Sequence, residues 1–401
     1  MDLDLVFLGT AGSTPTARRG LPATLLRRGG ERLLVDCGEG TQRQLLRCDV
    51  GLLELEEIFL THYHADHYLG LPGLLKTYAL RGRELPLTVY GPAGLRELLT
   101  TLRRVFGRLP YPLDAVELDP GDELSRAGYR LRAFPVAHGV SAIGYALVED
   151  ERPGRFDVER ADELRVPDGP ERGRLQRGEA VVLADGRTVT PGEVLGPARP
   201  GRRVVLSGDT APAASVVEAA AGADVLVHEA TFLADERARA RETLHSTAGE
   251  AALAAREAGV RLLALTHLST RYVGHQAVEE ARALFPQTVV PRDFDIVVVP
   301  FPERGAPALV RDGARAARAA LGSAPMTRLV QIAVAGDVAE AEQLRDLLSE
   351  AGIDSELEMA AEHEPGALDD PPLKILVPEG DVDAARDAIE ALSEPEDTAE
   401  P

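Results

Sequence analysis

Cysteine, lysine and long apolar runs are all scarce in this 401-residue chain. Only Cys37 and Cys48 occur, with no Cys-x-x-Cys pair. That leaves out a disulfide framework and a thiolate zinc site, and it fits a reducing cytoplasm. No apolar run approaches the roughly eighteen residues of a membrane span, so no membrane association is expected. The start, Met1-Asp2-Leu3-Asp4, is acidic and enters a strand-like segment, unlike a signal peptide. Lysine is reduced to Lys76 and Lys374, which leaves positive charge to arginine. What is present is ordinary for a globular protein, with 44% apolar and 27% charged residues over enough chain for more than one domain.

The net charge of −21 is unevenly spread. Residues 326–401 hold 21 acidic residues against Arg328, Arg345, Lys374 and Arg386, a balance of −17 that leaves −4 for the first 325. The overall acidity therefore says little about what the front of the chain binds.

The densest chemistry lies in Thr61-His62-Tyr63-His64-Ala65-Asp66-His67, between the strand-like Ile58-Phe59-Leu60 and a helical pattern over 69–80. Side chains at i and i+2 on a strand end point the same way, so His62 and His64 can share an ion. Asp66 and His67 lie past the strand end and can face a second. Imidazole with carboxylate suits zinc or a similar first-row ion. The same design recurs: apolar strands run into Ala137-His138, into Ser207-Gly208-Asp209 and into Thr266-His267. Open α/β sheets place ligands where strand ends converge. His62, His64 and His138 can then hold one ion and Asp66, His67 and His267 another, with Asp209 bridging. Asp36, at the end of the strand in a 23–36 hairpin, is a candidate to orient a metal-bound imidazole. Ser246 reads as a helix N-cap with Glu250 as its partner.

Residues 150–203 differ in texture. They are rich in Arg and Glu, have turns at Asp168-Gly169-Pro170 and Ala184-Asp185-Gly186, and show few apolar residues for a core. They read as a projecting insertion, in which Arg172, Arg174 and Arg177 are close enough to contact phosphates. Composition alone favours a solvated hairpin of mixed charge.

Together these residues resemble the metallo-β-lactamase superfamily, whose defining stretch is Thr-His-x-His-x-Asp-His. Within it they resemble the ribonuclease Z family, which trims the 3′ end of precursor tRNA. The resemblance covers about residues 1–304. It rests on Phe7-Leu8-Gly9-Thr10, on 36–42, on 61–67, on His228-Glu229-Ala230-Thr231-Phe232 with His245-Ser246-Thr247-Ala248, and on Thr266-His267 with Ser269, Arg271 and Tyr272. It implies an α/β chain (α+β by some schemes), folded as a four-layered αββα sandwich with a projecting arm. It implies two Zn2+ per subunit, or Mn2+ or another divalent ion, on His62, His64, Asp66, His67, His138, Asp209 and His267. It further implies that a metal-bridged water attacks, that Asp66 accepts its proton, and that His245, oriented by Glu229, protonates the departing 3′ oxygen. The products would be a tRNA with a 3′-hydroxyl and a trailer with a 5′-phosphate. Gly169, Pro170, Arg172, Arg174 and Arg177 in the arm, with Arg18, Arg19, Ser269 and Arg271, would touch the RNA. A cytoplasmic homodimer is implied, one subunit's arm presenting precursor tRNA to the other's site. One departure stands out: Thr16 and the pair Arg18-Arg19 occupy a loop where the family often has lysine and Arg-Asn.

The domain expectation is a nuclease domain over 1–307 with the arm at 150–203, a linker over 308–325, a small acidic α+β domain over 326–393, and a disordered tail over 394–401. The acidic domain weakly resembles small bacterial domains described as signal-transducing, and an unknown protein partner or regulator is expected for it. Two other functions compete. One is a phosphodiesterase or arylsulfatase of the same superfamily acting on small substrates. The other is an RNA-binding regulator with an inactive metal site.

Overall fold

The computed structural model describes residues 2–48, 52 and 55–311, with three strands and scattered positions beyond residue 328. The chain divides into a large first unit and a smaller C-terminal one.

The first half of the large unit runs β1 (Leu3–Gly9), β2 (Ala23–Arg28), β3 (Glu31–Val35), α1 (Thr41–Arg47), β4 (Glu57–Phe59), α2 (Ala65–Tyr68), α3 (Leu71–Leu80), β5 (Leu87–Gly91), α4 (Leu95–Phe106) and β6 (Leu113–Glu117). Next come β7 (Glu123–Arg126), β8 (Tyr129–Pro135) and β9 (Ile143–Glu149), then α5 (Val158–Glu163), α6 (Pro170–Gln176), β10 (Val181–Val182) and β11 (Thr188–Val189) of the insertion. The domain resumes with β12 (Arg203–Leu206), α7 (Ala214–Ala219), β13 (Val225–Glu229), α8 (Arg237–Thr243), α9 (Ala248–Ala258), β14 (Leu262–Thr266), α10 (Gly274–Arg282), β15 (Thr288–Val289), β16 (Ile296–Val298) and β17 (Ala308–Val310).

Two mixed sheets form, in the orders β17-β16-β1-β2-β3-β4-β5-β6 and β15-β14-β13-β12-β9-β8-β7. Their facing sides bury Leu5, Phe7, Phe59, Tyr145, Val204 and Val227 in one core. Phe59 stacks on Tyr90 with ring centroids 4.7 Å apart and meets Tyr145 edge-on. The outer side of the second sheet is covered by α7, α9 and α10 through Val216, Ala251, Ala255, Ala277 and Ala281. With α1, α3 and α4 alongside the first sheet, this is the expected four-layered sandwich. Covering on both faces explains why β1 reads as almost unbroken apolar sequence.

Topology decides where the site lies. β12, β13 and β14 are parallel, and β8 runs the same way because it is antiparallel to β9, which is antiparallel to β12. β3, β4, β5 and β6 are likewise parallel in the other sheet. Chain leaving β4, β8, β12 and β14 carries all the candidate ligands.

Three local expectations change. The helix cap before α9 is Thr247, whose side chain accepts from the Glu250 amide while Glu250 returns a bond to the Thr247 amide. Ser246 instead donates to the Thr210 carbonyl. The cap is set by the Thr-x-x-Glu spacing, which Ser246 misses by one residue. The arm does have a core: Ala161, Val166, Leu175, Val181, Leu183, Val189 and Val194 are buried together. One apolar residue every few positions closes over short elements even when the intervening residues are charged. Residues 308–310, expected as linker, are β17, paired antiparallel with β16. In the smaller unit β18 (Leu329–Ala335), β19 (Glu356–Met359) and β20 (Leu373–Pro378) form an antiparallel sheet in the order β18-β20-β19. Ile375 and Val377 are buried there with Leu348 and Ile353. Most of the helices expected over 338–351 and 382–392, the linker over 312–325 and the tail over 394–401 lie outside the described residues. Among the described residues no helix is long and apolar enough to cross a membrane.

Candidate metal centre and RNA-facing surface

The loop after β4 is fixed from both sheets. Tyr145 donates to the Leu60 carbonyl, the Ile143 amide donates to Thr61, and the Thr61 amide and hydroxyl both donate to Asp36 Oδ1. His62 and His64 leave this loop toward His138, while α2 presents Asp66 and His67 toward His267.

The nitrogen left facing inward follows from what holds the other one. His67 Nδ1 lies 2.8 Å from Asp36 Oδ2, His267 Nδ1 2.8 Å from Thr231 Oγ1, and His138 Nδ1 3.0 Å from the Leu244 carbonyl. Thr61 Oγ1 sits 3.1 Å from His62 Nδ1. Each ring therefore turns Nε2 toward the centre, whereas His64 presents Nδ1. These inward atoms crowd together: His62 to His64 is 3.0 Å, His64 to His138 3.2 Å, and His67 to His267 3.3 Å. Asp209 Oδ2 stands 3.3 Å from His67 Nε2, 3.4 Å from His267 Nε2 and 3.7 Å from His62 Nε2. A tetrahedral ion with bonds of about 2.1 Å separates its ligand atoms by about 3.4 Å. The donor atoms therefore fit divalent cations, as His62, His64, His138 and Asp209 in one group and Asp66, His67 and His267 in the other. Asp209, His245 and His267 form a third convergent group.

Charge agrees with geometry. Burial, with His67 beside it, pushes His62 down to about 2, and burial with His138 lowers His64. Burial would raise Asp66 and Asp209, but the neighbouring histidines outweigh it and hold both carboxyls below their usual range. His67 moves up despite burial because Asp209 and Asp36 flank it. Cation and proton compete for such a ring, so loading the site releases protons.

Beside the ligands stands His245, its Nδ1 2.8 Å from Glu229 Oε1. Glu229 is buried and also accepts from the amides of Thr210 and Thr231 and from the Thr231 hydroxyl. Burial opposes the charge on His245, but Glu229 and then Asp209 push it up to about 9. With Nδ1 engaged, Nε2 is the nitrogen left to meet a ligand. The expected pairing of Glu229 with His245 is thus present in the geometry.

Residues 19–267 match the sequence profile of the metallo-beta-lactamase superfamily. Ribonuclease Z of Methanosarcina acetivorans is 46% identical over 304 residues, which span 75% of this chain and 99% of that protein. Ribonuclease Z of Myxococcus xanthus is 51% identical over 271 residues, 67% of this chain and 88% of that one. Among solved structures, the short form of human tRNase Z superposes with a TM-score of 0.55 at 26% identity, covering 74% of this chain and 99% of the other. The chain belongs to the ribonuclease Z family of the metallo-β-lactamase superfamily.

For a member of that family, the arm and cleft residues divide into two kinds. Arg172 is turned into the arm: it pairs with Asp162 and Asp168 and donates to the Val166 carbonyl, with a side chain only 14% exposed. Arg19 is half-buried, donating to Thr10 Oγ1 and the Pro291 carbonyl at the edge of a cleft. Arg174 and Arg177 share Glu179 but remain solvent-facing, and Gly169 with Pro170 opens α6 at φ 121°. Arg18 is exposed, Arg271 reaches Glu236 and Ser269, and Ser269 itself is buried. Sequence reading missed three things. Thr231 links Glu229, His245 and His267, and its place two residues after Glu229 was the available signal. The Ser13 amide donates to Asp66, which no side-chain pattern reveals. Arg282, Arg292 and Arg311 join Arg18 and Arg19 around a cleft of about 770 Å3, drawn from four separate stretches of chain.

Proposed function

We propose that this protein is a zinc-dependent endoribonuclease that removes the 3′ trailer from precursor tRNA. The observation that carries this reading is Asp209, whose Oδ2 lies within 3.7 Å of imidazoles from both ligand groups. A single carboxylate oxygen so placed suits a pair of cations rather than one. Zinc is the ion the imidazole-rich set favours, with manganese the alternative. When bound, such a pair supplies Lewis acidity that makes water a better nucleophile near neutral pH and offsets charge on a phosphodiester.

The protein's own groups divide the proton work. Asp66, an ionised and partly exposed carboxylate, orients the attacking water and takes its proton. The water oxygen bonds to phosphorus as the bond from phosphorus to the 3′ oxygen breaks. His245, charged because Glu229 faces it, gives its proton to that 3′ oxygen. The tRNA then ends in a 3′-hydroxyl and the trailer begins with a 5′-phosphate. The arm's solvent-facing Arg174 and Arg177 offer phosphate contacts remote from the cut. We further read the active form as a cytoplasmic homodimer in which one subunit's arm serves the other's site, and the acidic C-terminal unit as a regulatory or protein-contact module.

Incubating the purified protein with a 3′-extended precursor tRNA, with and without chelator, and mapping both new ends tests the reading. Chelator-sensitive cleavage with a 3′-hydroxyl and a 5′-phosphate is expected; intact RNA, or a 3′-phosphate, overturns it. Asp66→Ala should bind precursor tRNA with near-normal affinity while kcat falls on the order of 10²–10⁴-fold.

A further inference from the structure

The loop between β1 and β2 is held far more tightly than a surface turn requires. Its neck is closed by Asp293, which accepts from the Thr10 hydroxyl at 2.7 Å, the Gly20 amide at 2.6 Å and Gln44 Nε2 at 2.7 Å. The Ala11 amide donates to the Gly20 carbonyl across the same neck. Beyond it the loop lies against the turn after β14: the Gly12 amide donates to Leu268, and the Leu268 amide donates to Thr10. A Cβ on Gly12 would stand 2.6 Å from His267 Nδ1 and 2.7 Å from the His267 carbonyl oxygen. Ser13 follows in the left-handed region, φ 59°, where a side chain is disfavoured. What that conformation achieves is direction: the Ser13 N–H points at Asp66 Oδ2, 2.9 Å away.

Asp66 needs such a partner. It is the second residue of a four-residue helix, and its side chain is short and free to rotate about its last bond. Oδ2 is also 3.3 Å from His267 Nε2 and 3.7 Å from His67 Nε2. A fixed donor on Oδ2 stops the carboxylate flipping and leaves Oδ1 as the oxygen for a water. We propose that the Gly12–Ser13 turn is a positioning element of the reaction, its main-chain amide at Ser13 holding the Asp66 carboxylate and its Gly12 allowing the approach to His267. The inference rests on Asp66 acting in phosphodiester hydrolysis, as argued above.

The direct test replaces the amide between Gly12 and Ser13 with an ester, which removes the N–H and keeps the side chain. For precursor tRNA, kcat should fall on the order of 10- to 100-fold with KM unchanged. Hydrolysis of bis(p-nitrophenyl) phosphate should fall by the same factor, and zinc, titrated against a competing chelator dye, should bind several-fold more weakly. Ser13→Gly keeps the amide and suits a positive φ, so it is the conservative rescue; Gly12→Ala should resemble the ester. An ester protein with unaltered kcat and zinc affinity overturns the proposal, as does a Ser13→Gly protein as impaired as the ester one. Thermal melting separates a general loss of structure, which would lower Tm in the ester protein without the zinc effect. If the unmodified protein hydrolyses the small diester but not precursor tRNA, the tRNA reading fails while the small diester still decides this one. If it hydrolyses neither, the zinc titration decides.

Discussion

Glu229 shows how one buried charge can set up its neighbours. It keeps its charge because His245, two amides and a hydroxyl meet it, and burial alone would drive it toward neutrality. Glu229→Gln keeps the shape and removes the charge that holds His245 protonated. We expect kcat on precursor tRNA to fall by about 10- to 100-fold with little change in zinc content, measured by single-turnover cleavage and metal analysis. Unaltered single-turnover rates would remove Glu229 and His245 from proton delivery. At this scale the ligands were legible in the sequence because each lies in the stretch that directly follows an apolar strand. Asp36 was legible for the same reason. A basic run does not reveal that Asp162 lies within reach of Arg172, or Thr10 within reach of Arg19. The Ser13 amide was invisible, being a main-chain group that any residue carries.

The arm is a small folded element with a designed root. Arg202 donates Nε and Nη2 to both oxygens of Glu149 at 2.8 Å, and Arg28 adds a bond to Oε1. Further out, Glu303 accepts from Arg152 and Arg199, and the Arg152 guanidinium lies 3.6 Å above the Phe301 ring. Burial would raise Glu149, yet Arg202 and Arg28 hold it below the ordinary carboxylate value. A depressed carboxyl gives stability that is complete above its unfolded pKa and lost as pH falls through the lower, folded one. Acid titration should therefore weaken the root, and Glu149→Gln should flatten the acid limb of a melting-temperature profile. Breaking this buried pair should cost roughly 3–5 kcal/mol in denaturant unfolding. Deleting residues 155–200 leaves Glu149, Arg202 and the β9–β12 pairing intact. The shortened protein should still hydrolyse a small phosphodiester and fail on precursor tRNA; undiminished precursor cleavage would remove the arm from recognition. The arm's limits were readable from its charge, but its core was not, because its apolar residues are spread singly among Arg and Glu.

Across the whole molecule the site depends on both sheets, with His62 and His67 from one and His138, Asp209 and His267 from the other. Cations that bind only this assembled arrangement must stabilise it. Adding chelator should lower Tm, and restoring zinc should raise it again. Charge is divided as sharply as structure, since residues 326–401 carry −17 of the total −21. A chain ending after Arg311 should therefore bind precursor tRNA more tightly at low salt, with the difference fading as ionic strength rises; equal affinities would assign the acidic unit no electrostatic part. Strand ends and apolar runs made the sandwich legible, whereas the distribution of charge marks residues 326–401 as acidic and does not say what they meet. Arg203 and Val148 are partners in one antiparallel ladder, so the arm's two ends leave the domain side by side. An attachment with neighbouring ends is a cassette: it can be lengthened, exchanged or lost in a single event, and substrate range can evolve while the hydrolytic centre stays untouched.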